Sequence, residues 1–298
     1  MSHQPPKEYE LPTFETREPI SVALEFAQGE AHVIATDRKD TVVAVNPSDR
    51  SRKLDVEAAE QTQVAYSGGS LTVKGPKPRG IGGYIGVGGK PGSIDVTIEL
   101  PSDSRIDVEA MFGDFRADGR LGEVRVKSGA GNISLDQTGQ VHLDTGGGSV
   151  TVEGVTGHAE VTGAGNVRLG AIGGRAVIKN LNGRTWLGEV TGSLRVKAAN
   201  GDVTVRRTHA DVVVKIANGS IQIDEVVSGS VVVETASGGL DVGIREGTAA
   251  WVDATTRFGR VHNTLASAAG PEGSTVTAEI RGRTGYGDIV IHRSRGET

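Results

Sequence analysis

Five acidic residues are placed where they could do chemistry: Asp136, Glu153, Asp202, Asp224 and Asp241, each one position beyond or beside an alternating apolar pair. Paired carboxylates 5–10 Å apart would suit glycoside hydrolysis or lyase chemistry. Here they are scattered among basic and neutral residues, as on a solvated face. No Gly-x-Ser-x-Gly or His-Glu-x-x-His occurs, and the 7 histidines are dispersed. The 0 cysteines remove disulfides, thiolate metal sites and Cys nucleophiles together. The residues therefore predict a non-enzymatic protein with no cofactor and no metal.

Two glycine-rich motifs invite a ligand. Gly80 to Gly92 resembles a phosphate cradle, but Tyr84 stands where a P-loop needs its first glycine and Pro91 where it needs a hydroxyl. Gly80 and Gly82 would need a third glycine where Ile85 stands. The segment reads as a mobile loop carrying Ile81, Tyr84, Ile85 and Val87 into solvent, with a ligand lid as the alternative. Ser128-Gly-Ala-Gly-Asn132 and Thr162-Gly-Ala-Gly-Asn166 approach a calcium-binding nonapeptide, yet neutral Asn occupies the carboxylate position.

The elements that position these residues come from a repeat. Between Met111 and Leu265 glycines recur at 113, 131, 148, 165, 183, 201, 219 and 238, and again at 122, 139, 157, 174, 192, 229 and 247, with Ala210 filling the gap. After each, apolar side chains fall at +2 and +4, the period of a half-buried strand. Coils of 17–19 residues with two short strands predict an all-β, single-chain parallel β-helix, a β-solenoid. Parallel crossovers favour a right-handed one. Inward positions are Ile133/Leu135, Val150/Val152, Val167/Leu169, Val203/Val205 and Ile221/Ile223, and in the second sheet Val124/Val126, Val141/Leu143, Leu194/Val196 and Val231/Val233.

Around the coils we expect a polar tail at 1–18, an N-terminal capping β segment at 19–104, regular coils at 105–265 and C-terminal capping strands and tail at 266–298. The N-terminal segment holds strands at Ile20–Phe26 and His32–Ala35 with a turn at Gly29, and a short helix within Asp49–Gln61. Thr275 to Ile280 and Gly287 to Ile291 should close the C-terminal end of the rod.

The repeated unit, read at Gly139–Val152 and Gly192–Val205, together with the preceding Glu99-Leu-Pro101, resembles the bacterial "putative adhesin" β-strand-repeat family over about residues 20–292. The resemblance implies a β-solenoid of largely unassigned, adhesin-like function and carries no catalytic motif across.

Function then concentrates in departures from the repeat. Lys179, Arg195, Lys197 and Lys215 should project from one sheet in successive coils, a stripe that could hold an anion or remain solvated. Val177, Val213 and Val232 face outward on that sheet; the N-terminal segment, a second protomer or nothing covers them. Trp186, beside Arg184 on the opposite sheet, is a candidate contact for a glycan or a protein. The candidate surface is thus Arg184, Trp186, Lys179, Arg195, Lys197, Lys215, Val213, Val232 and Tyr84. The partner is an unidentified protein, self-association through an apolar sheet face, or a glycan; cleavage of a glycan is the alternative activity. Net charge −5 disfavours nucleic acid. An N-terminus without an apolar h-region and the lack of membrane-length runs predict a cytoplasmic protein with no transmembrane segment.

Overall fold

The computed structural model describes residues 11–76, 91–266 and 276–294. Tyr84, most of the Gly80–Gly92 segment and residues 1–10 of the expected tail lie outside the described residues. The chain is nearly all-β. Its first part holds β1 (Thr13–Glu15), β2 (Ser21–Thr36), β3 (Asp40–Pro47), helix α1 (Lys53–Gln61), β4 (Gln63–Ser67), β5 (Ser70–Lys74) and β6 (Ser93–Pro101). The coils follow as β7 (Arg105–Ala130), β8 (Ile133–Thr145), β9 (Val150–Val155), β10 (Ala159–Gly163), β11 (Val167–Ile172) and β12 (Ala176–Asn182). They continue through β13 (Thr185–Val190), β14 (Leu194–Asn200), β15 (Val203–Thr208), β16 (Val212–Asn218), β17 (Ile221–Val226), β18 (Gly229–Ser237) and β19 (Leu240–Ile244). The last elements are β20 (Thr248–Phe258), β21 (Val261–Asn263), β22 (Val276–Tyr286) and β23 (Ile289–Arg293).

Every second strand pairs in parallel, so two long sheets run side by side along a rod. One contains β8, β10, β12, β14, β16 and β18. The other contains β8, β9, β11, β13, β15, β17 and β19. The inward residues expected from the alternation are all buried. Burial of each stabilises the fold by about 1.5–3 kcal/mol, and each stacks on its equivalents one coil away. At the corners, hydroxyls satisfy the backbone: Thr145 Oγ1 donates to Gly147 O at 2.8 Å and Thr235 Oγ1 to Gly219 O at 3.0 Å.

The glycine column has a steric origin. Gly219 has φ +141°, and a Cβ there would lie 2.3 Å from the carbonyl oxygen of Gly201 in the preceding coil. Only glycine fits both conditions. The polar residue after each glycine is equally local in purpose. Asn132 Oδ1 accepts the Ser149 N–H at 3.0 Å, Asn166 Oδ1 that of Arg184 at 3.1 Å and Asp202 Oδ1 that of Ser220 at 2.9 Å. These side chains cap the next coil, so the calcium-like Asn132 and Asn166 are hydrogen-bond acceptors for backbone.

The ends differ from expectation. There is one strand where Ile20–Phe26 and His32–Ala35 suggested two: β2 runs through both sheets, its first half beside β5 and its second beside β6, with β7 along its other edge. A strand that long forms a whole coil by itself, because Gly29 bends it at the corner without ending its hydrogen bonding. Residues 13–15, assigned to the polar tail, pair antiparallel to β3, which pairs antiparallel to β6; β4 does the same to β5. The helix packs on β3 and β6. The described part of the N-terminal segment therefore closes one end of the rod and pairs with neither β16 nor β18, the strands of Val213 and Val232.

At the other end β22 and β23 do not close the stack. They insert between β18/β19 and β20/β21, so the chain skips a level and returns to fill it. The terminal level is β20/β21. No helix among the described residues is long and apolar enough to cross a membrane.

Candidate functional site

The cationic surface is built by strict register. Lys179, Lys197 and Lys215 occupy matching positions on β12, β14 and β16. The column continues to Thr162 and Asp144 on one side and to Glu234 and Arg283 on the other. Neighbouring strands lie about 4.8 Å apart, so two stacked ammonium groups in water repel by about 1 kcal/mol. Carboxylates relieve this at both ends: Glu160 Oε1 lies 3.7 Å from Lys179 Nζ and Glu234 Oε2 lies 2.7 Å from Lys215 Nζ. Lys197 sits between two lysines, with no carboxylate within ion-pair distance among the described residues. Asp211, the other acid near the stripe in sequence, instead accepts the Ser230 N–H at 2.9 Å.

Beside it runs a second column, His142, Glu160, Val177, Arg195, Val213, Val232 and Arg281. The three valines are half-buried. Their register neighbours are Arg195 and Arg281, whose aliphatic stems suit such cover. The structure thus gathers Lys179, Arg195, Lys197, Lys215, Val213 and Val232 on one face. An open groove of about 770 Å³, lined by Glu123, Arg125, His142, Glu160, Arg175 and Lys179 among others, continues that face toward the N-terminal coils.

Trp186 is on β13, in the other sheet, and Arg184 immediately precedes that strand. Arg184 is exposed, but Trp186 is half-buried and carries the Arg168 guanidinium 3.9 Å from its ring centroid. Arg168 precedes it by one coil in the same column, so one ring face is already occupied by a cation. Four of the five acids named first are also engaged, Asp202 with the Ser220 N–H as above. Asp136 Oδ2 accepts Gly119 N–H at 3.3 Å, Asp224 Oδ1 accepts Gln222 Nε2 at 2.7 Å, and Asp241 Oδ1 faces His292 Nε2 at 2.8 Å. Among the described residues no group of three His, Asp or Glu could hold a metal ion.

Displaced acid–base equilibria belong mainly to the N-terminal coils. Arg116, and then His32 at 2.7 Å, hold the Asp118 carboxyl below the usual carboxylate range. Arg38 lies above its ordinary value through hydrogen bonding to Asp40 and Glu99. Both shifts have a local ion pair as their main cause, which is the structural source of such shifts rather than a catalytic one.

The alternation of apolar residues did not reveal an aromatic surface at the open end. Trp251, Phe258 and Tyr286 are 55%, 57% and 59% exposed. Phe258 and Tyr286 stack with centroids 4.9 Å apart. A weak signal existed: the inward positions of Thr248–Phe258 are Ala250, Val252, Ala254 and Thr256, smaller than elsewhere, as suits a coil with a neighbour on one side only.

The family model of Toastrack DUF4097 matches residues 22–296. Among solved structures the chain is similar to a "putative adhesin" of Bacteroides fragilis, at 12% identity, 97% coverage of this chain, 100% of that one and a TM-score of 0.36. It is similar to a "putative lipid binding protein" of Parabacteroides distasonis at 14% identity, 96% coverage of each chain and a TM-score of 0.34. A "putative cell adhesion protein" of Clostridium sporogenes matches at 12% identity, over 95% of this chain and 99% of that one, with a TM-score of 0.24. Among curated proteins no match is found.

Proposed function

The chain belongs to the Toastrack DUF4097 family, and we propose that it is a non-enzymatic, adhesin-like binding scaffold that takes an extended anionic partner along one long face. The observation that carries this reading is the in-register column Lys179–Lys197–Lys215, with Lys197 left without a carboxylate partner among the described residues. A line of negative charge laid across the strands would relieve the lysine repulsion at each level. Arg195 widens the positive surface, and Val177, Val213 and Val232 make its floor partly apolar.

A glycan held through Trp186 is the weaker reading, because Arg168 occupies one face of the ring. Inorganic polyphosphate is a suitable probe, with neutral dextran as the glycan control. The expected result is polyphosphate binding that weakens steeply between 50 and 300 mM salt, as exposed charge pairs require at Debye lengths of about 8–14 Å and below. Lys197→Glu and Lys215→Glu should each reduce affinity at least tenfold, while Arg184→Glu on the opposite sheet changes it less than twofold. Equal binding by the lysine variants would overturn the proposal. Binding of neutral dextran that Trp186→Ala abolishes would install the glycan reading in its place.

A further inference from the structure

The two ends of the rod are built differently. At the N-terminal end the parallel stack stops against antiparallel strands β3 and β4, the three-residue β1 and helix α1. At the C-terminal end β20 pairs with β22 on one side, and its other edge has no partner among the described residues. An 11-residue edge strand exposes a row of N–H and C=O groups ready for a further strand. Natural edges are usually blunted by charge, proline, bulges or brevity, and β20 has neither a proline nor a break in its pairing with β22 beyond Thr256.

The side chains of this edge show which strand fits. Ala250, Val252 and Ala254 point to the core, and Trp251, Asp253, Thr255 and Arg257 alternate outward. Asp253 and Arg257 have no ion-pair partner among the described residues. They stand two residues either side of Thr255. Antiparallel pairing of β20 with a second β20 about a two-fold axis through Thr255 puts each Asp253 opposite the Arg257 of the other copy. The same register puts each Val252 opposite the other Phe258, which is 57% exposed. Cross-strand pairs in an antiparallel ladder have Cβ atoms about 4.5–5.5 Å apart, so both charge pairs and both apolar pairs are in contact range. A shift of one residue would put Trp251 opposite Arg257 and leave Asp253 facing Thr255.

We propose that the protein forms a closed, two-fold dimer by continuing its sheet across two copies of β20. The interface is isologous, so it ends at two copies, and the covered N-terminal ends prevent growth into a filament. The proposal stands apart from the anion-binding reading, since its tests measure mass and cross-linking and involve no ligand.

Sedimentation velocity on the full chain at 1–100 μM should give a dimer with no larger species. Asp253→Lys and Arg257→Asp each place like charges opposite one another twice and should raise the dissociation constant at least tenfold. The double variant Asp253→Lys/Arg257→Asp should restore the dimer, and circular dichroism should show each variant folded. Because the chain has 0 cysteines, Thr255→Cys introduces a single thiol on the axis. It should form a covalent dimer on mild oxidation, at least tenfold faster than Ser134→Cys on the exposed face of β8. A monomer across the whole concentration range, open-ended oligomers, failure of the double variant to re-associate, or equal oxidation rates for the two thiols would each overturn the proposal.

Discussion

Replacing Gly219 by alanine tests the steric logic of the whole stack. The residue has φ +141°, and its added Cβ would meet the Gly201 carbonyl oxygen at 2.3 Å and the Gly201 carbonyl carbon at 2.7 Å. Ordinary contact begins near 3.4 Å, so the two coils must separate locally by about 1 Å. The blocking atom is backbone and cannot swing aside. A non-glycine residue in this region of φ costs about 1–3 kcal/mol. Separation also strains the hydrogen bonds from Gly219 N–H to Ser237 O at 2.8 Å and from Gly201 N–H to Asn218 O at 3.0 Å. Each contributes about 1 kcal/mol. Together the loss is about 3–5 kcal/mol. With an unfolding entropy of about 2.1 cal/mol/K per residue, a cooperative melt of 298 residues should shift down by roughly 5–8 °C. Two controls separate the causes. Gly68 has φ +55° and nothing within 4 Å, so Gly68→Ala should lose only about 1–2 kcal/mol. At Gly147 a Cβ meets open space and no positive φ is present, so Gly147→Ala should melt within about 0.5 kcal/mol of the parent. Thermal and urea unfolding followed by circular dichroism reads all three. If Gly219→Ala melts within 1 °C of Gly147→Ala, close coil-to-coil approach does not explain the glycine column.

Three further outcomes follow from the same structure. Val205→Asp or Ile221→Asp puts an unpaired carboxylate at a fully buried position touching the coils on both sides, and should abolish the cooperative melt, whereas Gln222→Asp on the outward side of the same strand should not. Asn200 Nδ2 donates to Asn182 Oδ1 at 2.8 Å and its Oδ1 accepts from Asn218 Nδ2 at 3.0 Å, so Asn200→Ala should cost about twice what Asn182→Ala does, near 1–2 against 0.5–1 kcal/mol by urea unfolding. Asp118 is held below the ordinary carboxylate range by Arg116 and His32, so folding favours its ionised form. That contribution is complete above the unfolded value near 4 and is lost as pH falls through the lower folded value. Asp118→Asn should therefore flatten part of the stability decline below pH 4, and an unchanged pH profile would remove the basis for this assignment.

The candidate surface was legible to different depths. The lysine stripe could be placed from spacing alone, because three lysines at intervals of 18 residues in an 18-residue coil must stack. Its neutralisation at both ends could not, since Glu160 reaches Lys179 from the preceding coil and the choice between Glu234 and Asp211 depends on which carboxylate is already spent on a backbone N–H. Trp186 was read as exposed beside Arg184, but the arginine that covers it is Arg168, one coil away and invisible to a reading along one strand.

Alternation and a glycine at each corner are properties of a few consecutive residues, so the coil, its period and the face of nearly every residue are set locally. The order of levels at the ends is a global property of the stack. Any strand of matching pattern offers the same row of hydrogen bonds to a free edge, so local sequence cannot say whether β22 lies above β20 or beneath it. That choice rests on packing against β18 and on closing the loops between levels, whose entropy depends only weakly on length. The same global choice leaves β20, with Trp251 and Phe258, as the open end of the rod.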